Sequence, residues 1–399
     1  MMKLNSNVVC IKYKNKVILA NKLTGMWLRI TREVYEYLIK ALRLNYEKKD
    51  FVHAFMNEED QKYIDLLLDR LEQINILGDS KVNFTKSIAF EITNRCNLNC
   101  AHCCFSAGEK GEEMPKEKVA EILKKIIKWN PDKITITGGE PLLRSDIFEH
   151  LKILRESFAG TIILATNGTL INEGNVTDLI RYVDKIDISV DGVDEESCAK
   201  IRGKGVFGKV LKSIKLLKEN GFEMISLSMV LTENNETISD KFLDMNRKLK
   251  TYPVLRRISW IGRALENYKE LTSQEVLYEK GAEIKTTEKE ICSYGNCQNL
   301  VSKYHIRFDG YVYACQTIED KRYSLGYIDQ ISGFDKIKDN RLMYLIEDLL
   351  KANHKCSQCK IMPFCWKCPV EIMEYTKNGS MEEHCNTVHD NLFRVIWEE

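Results

Sequence analysis

NRCNLNCAHCC, residues Asn94–Cys104, packs four of the chain's 14 cysteines into eleven positions, and Cys96, Cys100 and Cys103 stand there at C-x3-C-x2-C spacing. A structural zinc site takes four ligands, usually from two C-x2-C pairs. Three thiols with no fourth in register leave a coordination position open. They suit three irons of a four-iron, four-sulfur cube whose last iron takes a small amino acid or nucleotide as chelating ligand.

Outward from this stretch, residues 87–261 alternate strand and helix, the signature of a parallel sheet wrapped by helices. Strands are expected in SIAFEIT, KITIT, TIILA, KIDISV, MISLSMV and RRISWI. Six such strands fit a partial barrel. Between them, PKEKVAEILKKIIKW places Val119, Ile122 and Ile126 on one stripe, with Pro115 in its first turn. In parallel β/α barrels the loops after the strands converge on one mouth. The cysteine loop follows the first strand, GGEP (Gly138–Pro141) the second, TNG (Thr166–Gly168) the third, DG (Asp191, Gly192) the fourth, and the fifth ends in SMVLTENN. Each glycine pair alone is an ordinary turn signal. Together the loops would set three thiolates, a glycine-lined floor, an Asn and several carboxylates around one cavity.

The flanks differ in character. In the first eighty residues NVVCIKY and KVILA read as short strands turning at Asn15. Thr31 caps a helix with Val34, Leu38, Ile39 and Leu42 on one face, and Tyr63, Leu67, Leu71 and Ile74 repeat that pattern before Gly78. The result is a winged-helix-like module. Its expected recognition helix, EEDQKYIDLLLDRLEQ, opens on Glu58, Glu59 and Asp60, which phosphates would repel, so a peptide is preferred to nucleic acid as partner. A purely structural cap on the barrel is the alternative. Beyond residue 280 the chain is loop-rich and holds eight cysteines. Bound clusters would stabilise such a region.

Lys plus Arg total 59 against 58 for Asp plus Glu, so bulk charge gives no reason to expect nucleic acid or an anionic membrane. The N-terminus lacks a signal-peptide core and no run of about eighteen apolar residues occurs, so a cytoplasmic protein is expected. Disulfides are rare there, and clustered cysteines read as metal ligands. Cys10 and Cys198 are expected to be small buried hydrophobes, and Cys104 a bystander.

C-x3-C-x2-C after a first strand, followed by GGEPLL and TNGT, resembles the radical S-adenosylmethionine (SAM) superfamily over about residues 87–265. That resemblance implies that Cys96, Cys100 and Cys103 hold a [4Fe-4S] cluster, and that SAM binds its open iron. His102 would lie beside the adenine, and Gly138, Gly139 and Glu140 would face the methionine ammonium. Asn167, Ser189 and Asp191 would contact ribose and methionyl groups, Arg202 the SAM carboxylate, and the backbone of Val230 the adenine. The C-terminal cysteines resemble a SPASM domain with two auxiliary clusters: Cys292, Cys297, Cys315 and Cys368 on the first, Cys356, Cys359, Cys365 and Cys385 on the second. Cys365 and Cys368 are two residues apart where the family commonly has three, which leaves the split between clusters open. Zinc is the alternative, since CSQC and CWKC are also zinc-knuckle spacings.

The domains expected are thus a peptide recognition element (1–82), a partial (β/α)6 radical SAM barrel (83–280) and a SPASM domain (281–399). The N-terminal module resembles the element of ribosomal-peptide maturases that pairs a leader peptide with a strand edge. The implied reaction is cleavage of SAM to a deoxyadenosyl radical and hydrogen abstraction from a precursor peptide, with a flavodoxin or ferredoxin as low-potential donor. Sulfatase-maturing relatives usually carry an Asp after the cysteine of G-x4-C, where this chain has Gln316. An amide cannot act as that base. Formylglycine formation therefore falls behind peptide crosslinking, and among crosslinks the resemblance, by frequency in the family and not by any residue of this chain, puts a Cys thioether first. Carbon–carbon crosslinking, epimerisation and sulfatase maturation are alternatives, and a non-catalytic zinc-binding winged-helix protein is the alternative of another class.

Overall fold

The computed structural model describes residues 2–78, 84–232, 235–271, 302–318, 320–333, 354–365 and 381–398, with Val370, Ile372, Thr376 and Gly379. The chain divides into two compact units. One joins Met1–Phe84 with Lys280–Val301 and Arg341–Glu399, and the other joins Thr85–Glu279 with Ser302–Asn340. The stretch expected as a third domain is thus shared between the two.

In the first unit, β1 (Val8–Tyr13), β2 (Lys16–Asn21) and β3 (Trp27–Thr31) form an antiparallel sheet in the order β1-β2-β3. Helices α1 (Arg32–Arg43), α2 (Lys48–His53) and α3 (Glu58–Gln73) follow. Thr31 caps α1, its side chain accepting from the Val34 N–H, and Asn57 does the same for α3 through the Asp60 N–H. β2 is buried on both faces because successive side chains point oppositely. Val17 and Leu19 join Leu38, Leu68 and Leu71 of the helices, whereas Ile18 and Ala20 join Ile361, Phe364, Leu392, Ile396 and Trp397. The chain's last residues therefore close the sheet's second face. Cys10 departs from expectation: it is exposed on β1, while Cys198 is buried as expected.

In the second unit, nine strands form one sheet in the order β12-β11-β10-β4-β5-β6-β7-β8-β9. Seven of them run parallel, six in chain order: β4 (Ser87–Glu91), β5 (Lys133–Thr137), β6 (Thr161–Thr166), β7 (Lys185–Ser189), β8 (Ile225–Leu231) and β9 (Tyr252–Arg257). Ile88, Phe90, Ile134, Ile136, Ile162, Leu164, Ile186, Ile188, Leu227 and Met229 alternate toward the helices and build the core with Val119, Ile122, Leu151, Leu179 and Val210. The residues between them, Glu91, Thr137, Ser189 and Ser228, line the opposite face. Pro115 stands at the N-cap of the helix Lys116–Trp129, one position before its first turn.

Two features differ from the sequence reading. The sixth strand is Tyr252–Arg257, not RRISWI, because Tyr252–Arg257 pairs with Ser226–Leu231 while Ile258 and Trp260 pack with Ile201, Ala264 and Leu271 beyond the sheet. Three strands also extend the sheet on its far side. β10 (Lys303–Ile306) lies parallel to β4, and β11 (Tyr311–Tyr313) and β12 (Gly326–Tyr327) continue antiparallel.

Candidate active site

The cysteine loop leaves the end of β4, and many of the bonds that hold it are made to its carbonyl groups. The N–H groups of Gly139 and Glu140 donate to the carbonyls of Thr93 and Arg95, each at 2.8 Å. This contact explains both glycines. A Cβ on Gly138 would lie 2.2 Å from the Thr93 oxygen and one on Gly139 2.2 Å from that of Arg95, so only glycine lets the two loops meet. Arg144, almost fully buried and paired with Asp146, donates at 3.1 Å to the carbonyls of Ile92 and Met114. Past β9, the Arg263 N–H reaches the Cys103 carbonyl, Arg263 Nε that of Cys100, and Asn267 Nδ2 that of Ala101, each at 3.0 Å.

With the backbone so anchored, the three thiols lie within electrostatic reach of one another. Cys96 and Cys100 are buried and Cys103 half-buried. Burial pushes the Cys96 thiol up to about 11, and it raises Cys100 as well, partly countered by Arg202, whose Nη1 stands 3.7 Å from the Cys100 sulfur. The charges of Cys100 and Cys103 raise Cys96 further, and that of Cys103 raises Cys100. A buried trio of this kind is stable as thiolates only with a cationic partner. The sulfurs are not gathered round a point: among the described residues no three His, Cys, Asp or Glu side chains converge on one metal ion. A cube spreads its ligands over several ångströms, and three spaced soft donors beside a guanidinium fit it.

Asp191 organises the opposite side. At φ 51° it turns the chain after β7 in the left-handed region that Asp tolerates better than most residues. Its carboxylate accepts from His102 Nε2 at 2.7 Å, from Arg202 Nε and Nη2 at 2.6 Å, and from the Val230 N–H at 2.6 Å. Burial works to raise its pKa, but the charges of Arg202 and His102 outweigh that and hold it well below the usual carboxylate range. Arg202 is correspondingly raised by Asp191 against its own burial. His102 Nδ1 stays buried with no hydrogen-bond partner. It is a polar atom open to a ligand.

The remaining residues expected from the sequence to bind SAM make hydrogen bonds within the protein. Glu140, expected against a methionine ammonium, turns inward instead: it is fully buried and accepts from the Asn167 N–H (2.7 Å), the Leu142 N–H (3.0 Å) and Thr166 Oγ1 (2.8 Å). Burial raises its pKa and those three donors oppose the shift. It therefore fixes the TNG loop. Asn167 Nδ2 donates to Asn97 Oδ1 at 2.9 Å and lies 4.0 Å from the Cys96 sulfur, joining that loop to the cysteine loop. Ser189 Oγ accepts from Ser228 Oγ at 3.3 Å. Val230 gives its N–H to Asp191 and its carbonyl to Asn235 Nδ2. Asn97, Arg144, Arg263 and Asn267 were not legible as site residues: the last three act on backbone carbonyls that no motif marks, and Asn97 on the side chains of Asn167 and Thr169.

Cys356, Cys359, Cys365 and Cys385 lie within electrostatic reach of one another, and burial raises Cys365 to about 12. Its sulfur is 3.4 Å from His384 Nε2. Cys315 is half-buried, 3.0 Å from Thr317 Oγ1, and Gln316 is exposed. Cys292, Cys297 and Cys368 lie outside the described residues.

Residues 90–244 match the family model of the Radical SAM superfamily. The chain thus carries a radical SAM enzyme domain, of the class that works with a four-iron, four-sulfur cluster and SAM. The chain is 30% identical over 225 residues to a probable GTP 3',8-cyclase of Methanosarcina mazei, covering 54% of this chain and 66% of that protein. It spans between about half and two thirds of the length of the first such relatives it matches. It is 26% identical to the mycofactocin maturase MftC of Mycolicibacterium smegmatis, over 63% of this chain and 69% of that one. Among solved structures, Streptococcus suis SuiB bound to S-adenosylmethionine has a TM-score of 0.58 at 17% identity, covering 93% of this chain and 96% of that one. The same protein bound to precursor peptide SuiA gives 0.54, at 17% identity and covering 94% and 97%. The fold is theirs over nearly the whole chain.

Proposed function

We propose that this chain is a radical SAM peptide maturase that installs a Cys thioether crosslink in a ribosomally made precursor. The observation that carries the reading is that one fold likeness spans all parts of the chain: the N-terminal sheet and helices, the radical SAM domain and the C-terminal cysteine region are matched by a single protein seen with a precursor peptide. Residues 1–82 would take the leader along the edge of their sheet, as β-augmentation does. Cys96, Cys100 and Cys103 would hold the radical SAM cluster, and Cys292, Cys297, Cys315, Cys368 and Cys356, Cys359, Cys365, Cys385 two more in a SPASM domain. With cluster and SAM bound, one-electron reduction supplies a deoxyadenosyl radical for hydrogen abstraction. Gly138 and Gly139 shape the SAM-binding floor, Arg202 and His102 flank it, and Asn167, Ser189, Asp191 and Val230 border it. A cytoplasmic enzyme fed by flavodoxin or ferredoxin completes the reading.

Anaerobically purified protein is expected to be brown, with about twelve irons per chain if three cubes are filled. Cys96→Ala should abolish 5′-deoxyadenosine formation while keeping the C-terminal iron. A short cysteine-containing reading frame is expected beside the gene, and the enzyme coexpressed with that peptide should lower its mass by two hydrogens per link. Colourless, zinc-only protein, or a variant that cleaves SAM at the parent rate, would overturn the assignment. The 30% identity to probable GTP 3',8-cyclases favours a second reading, chemistry on a nucleotide. Consumption of GTP with no change in any peptide would establish that one.

A further inference from the structure

On the sheet face opposite the helices, Glu91 at the end of β4 accepts a hydrogen bond from His305 Nε2 of β10. Both are buried, with 1% and 3% of their surface exposed. Phe105, two residues past Cys103, lies flat on the imidazole, its ring centroid 5.9 Å away and the planes 7° apart. The pair therefore adjoins the cysteine loop at both ends, through β4 and through Phe105.

A buried His–carboxylate pair is usually a satisfied piece of core. This one is not satisfied. His305 Nδ1 is buried with no hydrogen-bond partner, and so are the Tyr313 hydroxyl and Arg307 Nε. The three belong to one hairpin: His305 and Tyr313 oppose each other across β10 and β11, and the Arg307 guanidinium stands 5.9 Å from the Tyr313 ring. Buried polar atoms are almost always paired, so three bare ones on a single hairpin point to a polar group of a ligand as their partner. The chemistry of His305 is also defined. A carboxylate accepting from Nε2 holds the proton there and leaves Nδ1 as a bare acceptor, the state of a general base.

We propose that His305, oriented by Glu91, takes the proton that the substrate sheds during crosslinking, and that Tyr313 and Arg307 bind a carbonyl or carboxylate of the same peptide. The inference rests on the peptide maturase reading. In the step concerned, the carbon radical left by hydrogen abstraction bonds to a cysteine sulfur and the S–H bond breaks. The proton passes to His305 Nδ1. One electron leaves to an iron–sulfur cluster of the C-terminal cysteines, the oxidant. His305 is then the base that exposed Gln316 cannot be, and Glu91 is a positioning residue that stabilises the imidazolium.

The test uses holoenzyme reconstituted to equal iron content, SAM, dithionite and a synthetic peptide with the sequence of the short cysteine-containing reading frame beside the gene. His305→Gln should lower crosslinked peptide per 5′-deoxyadenosine at least about a hundredfold, the lower range for loss of a general base. Glu91→Gln, which still accepts from Nε2 but loses the charge, should lower it about tenfold. A ratio equal to the parent's in His305→Gln overturns the proposal. If the parent yields 5′-deoxyadenosine but no peptide product, the maturase reading fails, and the pair is judged by a second measurement. Long-range proton–nitrogen NMR of histidine-labelled parent, its His305 signal assigned by its loss in His305→Gln, should show a neutral ring protonated at Nε2 with Nδ1 bare. A proton on Nδ1 overturns the assignment whatever the peptide does.

Discussion

Asp191 concentrates the site's electrostatics in one side chain, since it faces an arginine, a histidine and a backbone N–H from three different segments. Asp191→Asn keeps one accepting oxygen but leaves Arg202 buried without a counter-charge, a change expected to cost about 3–5 kcal/mol. The pH dependence has a definite sign. Asp191 is depressed in the folded state, so its contribution is complete above the ordinary carboxylate value of about 3.9 and is lost as pH falls toward the folded value. The difference in urea midpoint between parent and variant should be constant from about pH 5 to 7 and should narrow below about pH 4. A gap that widens on acidification would show that Asp191 is not the group responsible. Gly139 carries the steric counterpart: Gly139→Ala puts a methyl 2.2 Å from the Arg95 oxygen, so the cysteine loop must shift at a cost of about 1–3 kcal/mol. Iron bound per chain should fall with it. The glycines illustrate what one sequence shows and what it hides. GGEP is visible as a motif, but its reason, contact with the Thr93 and Arg95 carbonyls, depends on two segments more than forty residues apart.

Secondary-structure elements were legible wherever one physical pattern decided them. β4, β5, β7 and most of β8 alternate apolar with polar or small residues, β6 is a short apolar run, and their helices carry one apolar stripe, so strand and helix followed from the pattern. β9 did not, because Tyr252–Arg257 is largely exposed while the apolar residues after it serve a separate cluster with Ala264 and Leu271. The β10–β11 hairpin was hidden among cysteines that drew attention to metal binding, and its strands are only four and three residues long. The segment after β9 makes a testable contribution of its own. Arg263 and Asn267 together hold the cysteine loop by three carbonyls, those of Cys100, Ala101 and Cys103. Arg263→Ala removes a charge-assisted bond to Cys100, a loss of about 1.5–3 kcal/mol, and should release iron to a chelator severalfold faster than the parent. An unchanged release rate would place loop rigidity elsewhere.

At the scale of the whole chain, the N-terminal sheet cannot be the free-standing module that its sequence suggests. β2 buries Ile18 and Ala20 as completely as Val17 and Leu19, and a sheet covered on one side only by helices would leave the former pair in water. What covers them comes from the other end of the chain. Tyr13 packs on Phe393 and Trp397 at ring distances of 5.2 and 5.3 Å, Trp27 packs on Phe364 at 5.2 Å, and Arg29 Nη1 donates to the Ile396 carbonyl at 2.6 Å. None of this is visible in a local pattern, since the partners are more than 330 residues apart. Trp397 is the largest fully buried side chain in that contact. Trp397→Ala is expected to lower stability by about 3–5 kcal/mol, the usual cost of emptying a buried tryptophan site. The loss should appear as reduced amide protection in β1 to β3 under native-state hydrogen exchange, with β4 to β8 little changed. A fragment ending at Phe84 should correspondingly bind a hydrophobic dye and give poorly dispersed amide signals. A well-dispersed spectrum from that fragment would mean that the helices alone stabilise the sheet, and that the C-terminal cover serves something other than folding.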